Sequence, residues 1–329
     1  MLNTLIAGYR WTPLPDFGAV RVLGADGVRF LQGQVSNDVQ KLTAVDSMLA
    51  GLHTPQGRAV ALLRLMRIGP DDVLAVLPRE LAAPVAARLS KFVLRAKAKV
   101  TDASADWQFA GLIAPNEAST NSDAQPTANL PDASASASML PAVTQRQTEI
   151  DSSFVVRVAE APARWLAATP SGMRSLAIDR AVTDVERWRA FDISAGLPQV
   201  YAATSEVFVA QMLNLDVLGA IAFDKGCYTG QEVIARAHYR GRVKRRMQRF
   251  RSIGSATLAV GDSGKFRDGR SFRVVDAVAL SDGRCEFLAV APLAGSDEEA
   301  AEPITTNAGV AAVASLDVET LALPYPLPS

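Results

Sequence analysis

Cys227 lies in Lys225-Gly226-Cys227-Tyr228-Thr229-Gly230-Gln231-Glu232, the densest cluster of chemistry-bearing residues in the chain. Thr229 and Glu232 have the Thr-x-x-Glu spacing of a capping box, which predicts a helix through Val233, Ile234 and Ala237. Cys227 then stands just ahead of a helix N-terminus, where unpaired amide hydrogens and the macrodipole favour an anion. Lys225 is two residues away, and both effects favour the nucleophilic thiolate. The helix terminus alone contributes about 0.3–1 kcal/mol, too little to ionise a thiol that starts near ~8.5. Help from Lys225 or a nearby arginine is required. The plain alternative is a small buried residue between turn-forming glycines, and spacing alone leaves both open. Cys285, inside a predicted strand, reads as a core residue.

A second signal follows directly. Arg236, Arg240, Arg242, Lys244, Arg245, Arg246, Arg249 and Arg251 crowd the next segment with His238 and Tyr239, and no acid occurs from Val233 to Gly261. Such a run suits phosphate, carboxylate or RNA, with Arg236, Arg240, Arg242 and Lys244 as the anion contacts nearest the cysteine. The alternative is a face neutralised by acids elsewhere, because the whole chain balances 34 Lys+Arg against 34 Asp+Glu.

Other chemistry is excluded by count. Two histidines and two cysteines cannot build a histidine-rich metal centre or a four-cysteine cluster within one chain, and they fit a reducing compartment. No intrinsic metal is expected. Gly261-Asp262-Ser263-Gly264 imitates a serine nucleophile turn, but His53 in Leu52-His53-Thr54-Pro55 lacks the context of a catalytic base. Neither a Gly-x-Gly-x-x-Gly fingerprint nor a Walker loop is present. No apolar run reaches the ~18 residues of a membrane span, and the N-terminus lacks a signal-peptide pattern, so a cytoplasmic protein without membrane contact is expected.

The elements that must position these residues alternate. Short β-like runs are predicted at Ala19–Val22, Val60–Ile68 and Val73–Leu77. Asp26 caps a predicted helix through Phe30, Leu31 and Val35; further helices are predicted over Glu80–Phe92 and Asp184–Ser194, the last closed by Gly196. Residues 115–149 are rich in Ala, Ser, Thr, Asn, Gln and Pro and read as a mobile insertion. Runs at Phe272–Ala279 and Glu286–Ala291, separated by Asp-Gly turns, suggest a small β-barrel or sandwich. The pattern is α+β.

The segment Lys225–Glu232 resembles the signature of the YgfZ family, folate-binding relatives of the glycine-cleavage T-protein (aminomethyltransferase) associated with iron–sulfur protein maintenance. Gly24-Ala25-Asp26 with Phe30–Val39 is similar to the N-terminal block shared by both groups. Trp188 to Pro198 resembles the middle block, and Leu323-Pro324-Tyr325-Pro326-Leu327 the tail.

The resemblance implies an aminomethyltransferase-like folate-binding region of two intertwined α+β subdomains over 1–245, followed by a β-barrel domain over 246–329. It implies tetrahydrofolate or a folate derivative as cofactor, with Trp188 at one aromatic position and Phe17 where a relative carries tryptophan. Two departures stand out. Where T-proteins place an acidic pair after Gly57, this chain reads Arg58-Ala59-Val60-Ala61-Leu62, so aminomethyl transfer lacks its key carboxylate. The acid before Ala195-Gly196 is replaced by Ser194. The implied role is an accessory factor for iron–sulfur client enzymes, including those that modify tRNA, with Cys227 as its thiol. A folate-dependent one-carbon transferase and a tRNA-binding module are the rival readings.

Overall fold

The computed structural model describes residues 10–114, 144–173, 184–241, 243–293 and 312–328. The first strands and helices are β1 (Arg10–Pro13), β2 (Phe17–Leu23), α1 (Gly27–Gln32), β3 (Ser47–His53), β4 (Ala59–Gly69), β5 (Asp72–Pro78), α2 (Arg79–Ser90) and β6 (Lys99–Asp102). Then come β7 (Trp107–Ile113), β8 (Gln147–Ile150), β9 (Ser153–Glu160), β10 (Ala163–Pro170), α3 (Val185–Ser194) and α4 (Gln231–Arg240). The C-terminal strands are β11 (Arg245–Ser252), β12 (Ser263–Phe266), β13 (Ser271–Ala279), β14 (Cys285–Pro292), β15 (Ala312–Leu316) and β16 (Val318–Leu321).

Two five-stranded sheets, β3-β4-β5-β2-β6 and β1-β7-β10-β9-β8, share the first part of the chain. The chain enters the second sheet with β1, builds the first with β2 to β6, and returns with β7. The first sheet is therefore contiguous in sequence, while the second is split, β1 lying before it and β7 to β10 after it. β4 is apolar almost throughout because both of its faces are covered. Leu63 and Leu65 join the core that includes Leu31, Leu81, Val85 and Leu89 of α1 and α2. On the opposite face Met66 packs with Leu74 and Val76 against Phe109, Val158 and Leu166 of the second sheet. The side chains of Leu62 and Arg64 share that inter-sheet face by the strand alternation.

α3 starts as its sequence suggests, with the Asp184 carboxylate accepting from the Glu186 N–H at 3.1 Å. Two expected helices are shorter than their apolar spacing implies. α1 ends at Gln32, leaving Val35 in the segment beyond, and the Asp26 carboxylate accepts from Lys97 N instead of capping its helix. α2 stops at Ser90, and Phe92 is exposed. Residues 115–143 of the expected insertion lie outside the described residues. Its far end is not loop: β8 pairs with β9, and the Gln147 amide donates to Ala44 and Arg67 carbonyls, which lets a polar sequence form an edge strand.

The third sheet has the order β15-β12-β13-β14-β11-β16. Only Asp317 separates its two edge strands in sequence, so the sheet curls into a nearly closed barrel. Cys285 begins β14 and is buried, and burial pushes its thiol up to about 11. It is a core residue.

Candidate functional site

A cleft opens between the two five-stranded sheets beneath α3. Its outer chamber, about 400 Å³, is lined by Leu14, Phe17, Arg79, Trp188, Arg189 and Tyr201 among others. A narrow inner chamber of about 40 Å³ continues past Leu49, Leu62, Arg64, Val76 and Leu166. Phe17, Trp188, Asp192 and Gln199 border both chambers. The two aromatic residues singled out in the sequence, Phe17 from β2 and Trp188 from α3, therefore meet in one cavity. The barrel holds α3 over it: Arg189 pairs with buried Asp276 of β13, which also accepts from Tyr201 at 3.1 Å. Burial and the neighbouring Asp276 charge push the Tyr201 hydroxyl far above its ordinary range.

The inner chamber carries charge. Arg164 of β10 is fully buried, donates to Asp192 at 2.7 Å, and sits 4.7 Å over the Trp188 ring. Burial raises the Asp192 carboxyl, and Arg164 pulls it back down. Arg64 lies deep in the molecule yet keeps accessible surface, since it borders the cleft. Its Nη1 donates to Gln145 Oε1. Burial lowers this guanidinium to about 10, with Asp192 opposing and Arg164 adding to the fall. Leu62 presents a hydrocarbon side chain here. Ser194 turns away and donates to the Phe191 carbonyl of its own helix at 3.0 Å.

The cysteine loop departs from its expected geometry in two ways. The Thr229–Glu232 capping box does not form: α4 begins at Gln231 with Gly230 as its N-cap, and no side chain caps it. The Gln231 side chain instead accepts from Tyr228 N at 3.3 Å. Gly230 has φ +85°, and a Cβ there would lie 2.5 Å from the Thr54 carbonyl, so the chain turns against the β3–β4 connection too tightly for a threonine cap one residue earlier. Lys225 also does not serve the thiol. Its ammonium donates to the carbonyls of Gln32, Val35 and Asn37 at 2.7, 2.7 and 2.8 Å, which uses all three of its protons. Burial lowers Lys225 to about 8, while Asp38 favours the charged form. Tyr228 is buried beneath it, its hydroxyl pushed up to about 12 by burial. Cys227 and Gly226 are exposed at the tip of the loop, and nothing lies within 4 Å of a Cβ added at Gly226.

The basic run divides. Arg236 and Arg240 are exposed on α4; Arg242 lies outside the described residues; Lys244 is half-buried before β11. Beyond it the charges are neutralised by acids from other segments. Arg246 makes paired bonds to Asp216 at 2.9 and 2.8 Å, and Arg249 and Arg251 share Glu286. The segment 245–251 is thus barrel structure, not an open anion surface. Phe223, four residues before Cys227 in the chain, stacks on His238 at 3.8 Å, and exposed Tyr239 meets His238 edge-on at 4.8 Å. Among the described residues, no group of three or more His, Cys, Asp or Glu could hold a metal ion. No helix among them is long and apolar enough to cross a membrane.

No family model matches the chain. It is 32% identical over 281 residues to the tRNA-modifying protein YgfZ of Escherichia coli O157:H7 (strain EC4115 / EHEC), with 82% of each chain covered. The protein of the same name from Shigella boydii serotype 4 (strain Sb227) matches with the same identity and coverage. The chain belongs to the YgfZ family. Its fold is aminomethyltransferase-like: the glycine cleavage system aminomethyltransferase T from Bartonella henselae superposes with a TM-score of 0.66 at 16% identity, covering 88% of this chain and 80% of that one.

In this YgfZ-family chain, Phe17 and Trp188 come together in the cleft, while Cys227 is exposed on the loop that leads into α4. Sequence reading missed Arg64, Arg164 and Asp192. Asp192 stands one helical turn after Trp188, so the spacing Trp188-x-x-x-Asp192 was the available signal. Arg64 interrupts an apolar strand, Leu62-Leu63-Arg64-Leu65-Met66, and a lone cation on a covered strand face is the mark of a lined cavity.

Proposed function

We propose that this chain is a cytoplasmic, folate-dependent accessory factor for the assembly or repair of iron–sulfur clusters in client enzymes, among them enzymes that modify tRNA. The carrying observation is a cleft bordered by Phe17 and Trp188 in which Leu62 stands in the segment that holds the acidic pair of the T-protein pattern. The chamber of about 400 Å³ falls in the usual range for small-molecule sites. Two aromatic side chains offer faces to a pterin ring, and the buried Trp188 Nε1 has no hydrogen-bond partner. The residues fit a folate. Bound tetrahydrofolate supplies a carrier of one-carbon groups. Phe17 and Trp188 flank it, Arg164 and Asp192 fix the indole, and Cys227 is the exposed thiol offered to the client.

Without a carboxylate in Arg58-Ala59-Val60-Ala61-Leu62, a T-protein-type aminomethyl transfer has no group to protonate or orient an amine. The relatives' name, tRNA-modifying protein YgfZ, supports clients that act on tRNA. Two measurements test this reading. Tetrahydrofolate should quench Trp188 fluorescence in the parent and leave Trp188→Ala unchanged. In a deletion strain, Cys227→Ala and Cys227→Ser should fail to restore cluster-enzyme activity; full rescue by either removes the thiol's role. Turnover of glycine-derived or methylated amines with tetrahydrofolate would instead establish the one-carbon transferase.

A further inference from the structure

We propose that Arg64 makes the inner end of the cleft a receptor for an acceptor oxygen of the ligand, a carbonyl or carboxylate. This deepens the folate reading and rests on it for the class of ligand.

Two ionisable side chains line the inner chamber, Arg64 and Asp192, and Arg164 stands behind Asp192 as its ion-pair partner. Asp192 is committed to Arg164, which donates to its Oδ1 at 2.7 Å and spends further protons on the Phe191 and Trp188 carbonyls. That leaves Arg64 as a deep cation without a carboxylate of its own. Its hydrogen bond is to a neutral amide, Gln145 Oε1, which Ser47 also contacts. An uncompensated charge away from bulk water is costly, and an acceptor brought by a ligand relieves it.

Trp188 borders the same chamber, but its Nε1 is buried and has the Asp192 carboxylate as its near neighbour, so the indole offers a ring face and not a second donor. Arg64, by contrast, keeps accessible surface on the chamber wall.

Size and polarity then select the group. The inner chamber of about 40 Å³ admits an oxygen-bearing substituent or a ring edge, not a second ring. Leu49, Leu62, Val76 and Leu166 give it hydrocarbon walls. An amine or aminomethyl group entering here meets a guanidinium, a donor of the same charge. A carbonyl or carboxylate meets a complementary partner. The cleft accordingly selects against the cationic group that an acidic pair would hold.

Calorimetric titration of the full chain with tetrahydrofolate, 5-formyltetrahydrofolate and pterin-6-carboxylate tests the inference, comparing parent, Arg64→Leu, Arg64→Lys and Gln145→Ala. Loss of a charged donor to a buried acceptor should weaken binding by about tenfold or more in Arg64→Leu, with partial recovery in Arg64→Lys. Gln145→Ala keeps the charge but unties the guanidinium, and a several-fold loss there gives a readout that does not depend on how Arg64→Leu folds. A parent preference for the formyl derivative that vanishes in Arg64→Leu identifies a one-carbon carbonyl as the acceptor. Equal weakening for both reduced folates identifies the pterin ring oxygen. Arg64-dependent binding of pterin-6-carboxylate without binding of either reduced folate overturns the folate reading and keeps the receptor. Unchanged affinities in Arg64→Leu and Gln145→Ala, or no binding of any probe by the parent, overturn the receptor.

Discussion

Lys225 donates to the Gln32 carbonyl at 2.7 Å, and the same ammonium reaches the carbonyls of Val35 and Asn37. The loop that carries Cys227 is thereby bolted to the segment after α1. Those three carbonyls have turned out of helix and sheet, and one compact three-proton donor satisfies them together.

Lys225→Met should therefore lower unfolding free energy by about 2–4 kcal/mol, since charge-assisted bonds to partly buried carbonyls are lost together. Lys225→Arg should recover little, because a planar guanidinium fork cannot converge on three oxygens as an ammonium does. Urea denaturation followed by circular dichroism measures both. A loss under about 0.5 kcal/mol for Lys225→Met would show the bolt to be unimportant.

The two glycines flanking Cys227 should behave differently. At Gly230, φ is +85° and an added Cβ meets the Thr54 carbonyl and, at 3.1 Å, the Gly57 Cα; both are backbone and cannot step aside. Gly230→Ala should cost about 2 kcal/mol or more. At Gly226 there is open space, and Gly226→Ala should leave thermal unfolding nearly unchanged. Equal melting temperatures for the two variants would contradict this account.

The sequence blocks were legible because each is a docking surface for another. Phe30–Val39 meets Lys225, Gly230 meets the turn after His53, and Gly196 of the middle block accepts Tyr325 of the tail at 2.6 Å. The runs Val60–Ile68, Val73–Leu77, Phe272–Ala279 and Glu286–Ala291 showed through as strands because they are apolar almost throughout and covered on both faces. What the sequence concealed depends on long-range pairing. Nothing local marks Glu286 as the partner of Arg249 and Arg251, or Asp216 as that of Arg246, so a neutralised barrel strand reads as a basic patch. Thr229 and Glu232 have capping-box spacing, but the turn against Thr54 demands a glycine in the cap position. Arg64 was hidden because a cavity between two sheets is assembled from strands far apart in the chain.

His53 supplies a pH-dependent prediction. It is fully buried at the end of β3, its ring centroid 6.4 Å from that of Tyr228, with neither ring nitrogen hydrogen-bonded. Burial lowers the imidazole to about 4. The folded state thus resists a proton that the unfolded chain accepts near ~6.5, so the unfolded state binds more protons in the window between these values. Stability is full above about pH 6.5 and declines as pH falls toward 4, by about 2 kcal/mol at pH 5 from this group. The stability of the parent minus that of His53→Leu should fall by that amount from pH 7 to pH 5 in urea titrations. A pH-independent difference would show that His53 takes up a proton without penalty.

The exposed end of α4 gives the final test, of contact with tRNA. Phe223, His238 and Tyr239 form a stacked aromatic cluster, and Arg236 and Arg240 are exposed on the same helix. Aromatic faces beside arginines suit unpaired bases, whereas Arg246 is held by Asp216, and Arg249 and Arg251 by Glu286. Binding of unmodified tRNA should therefore weaken in Tyr239→Ala by about 1–3 kcal/mol, with the salt dependence unchanged. Arg236→Ala and Arg240→Ala should each reduce the slope of log affinity against log salt by about one. Arg249→Ala should leave that slope intact, since its guanidinium already belongs to Glu286. A slope that responds to Arg249 but not to Arg236 or Arg240 would move any RNA contact from α4 to the barrel; no binding at low salt would remove it altogether.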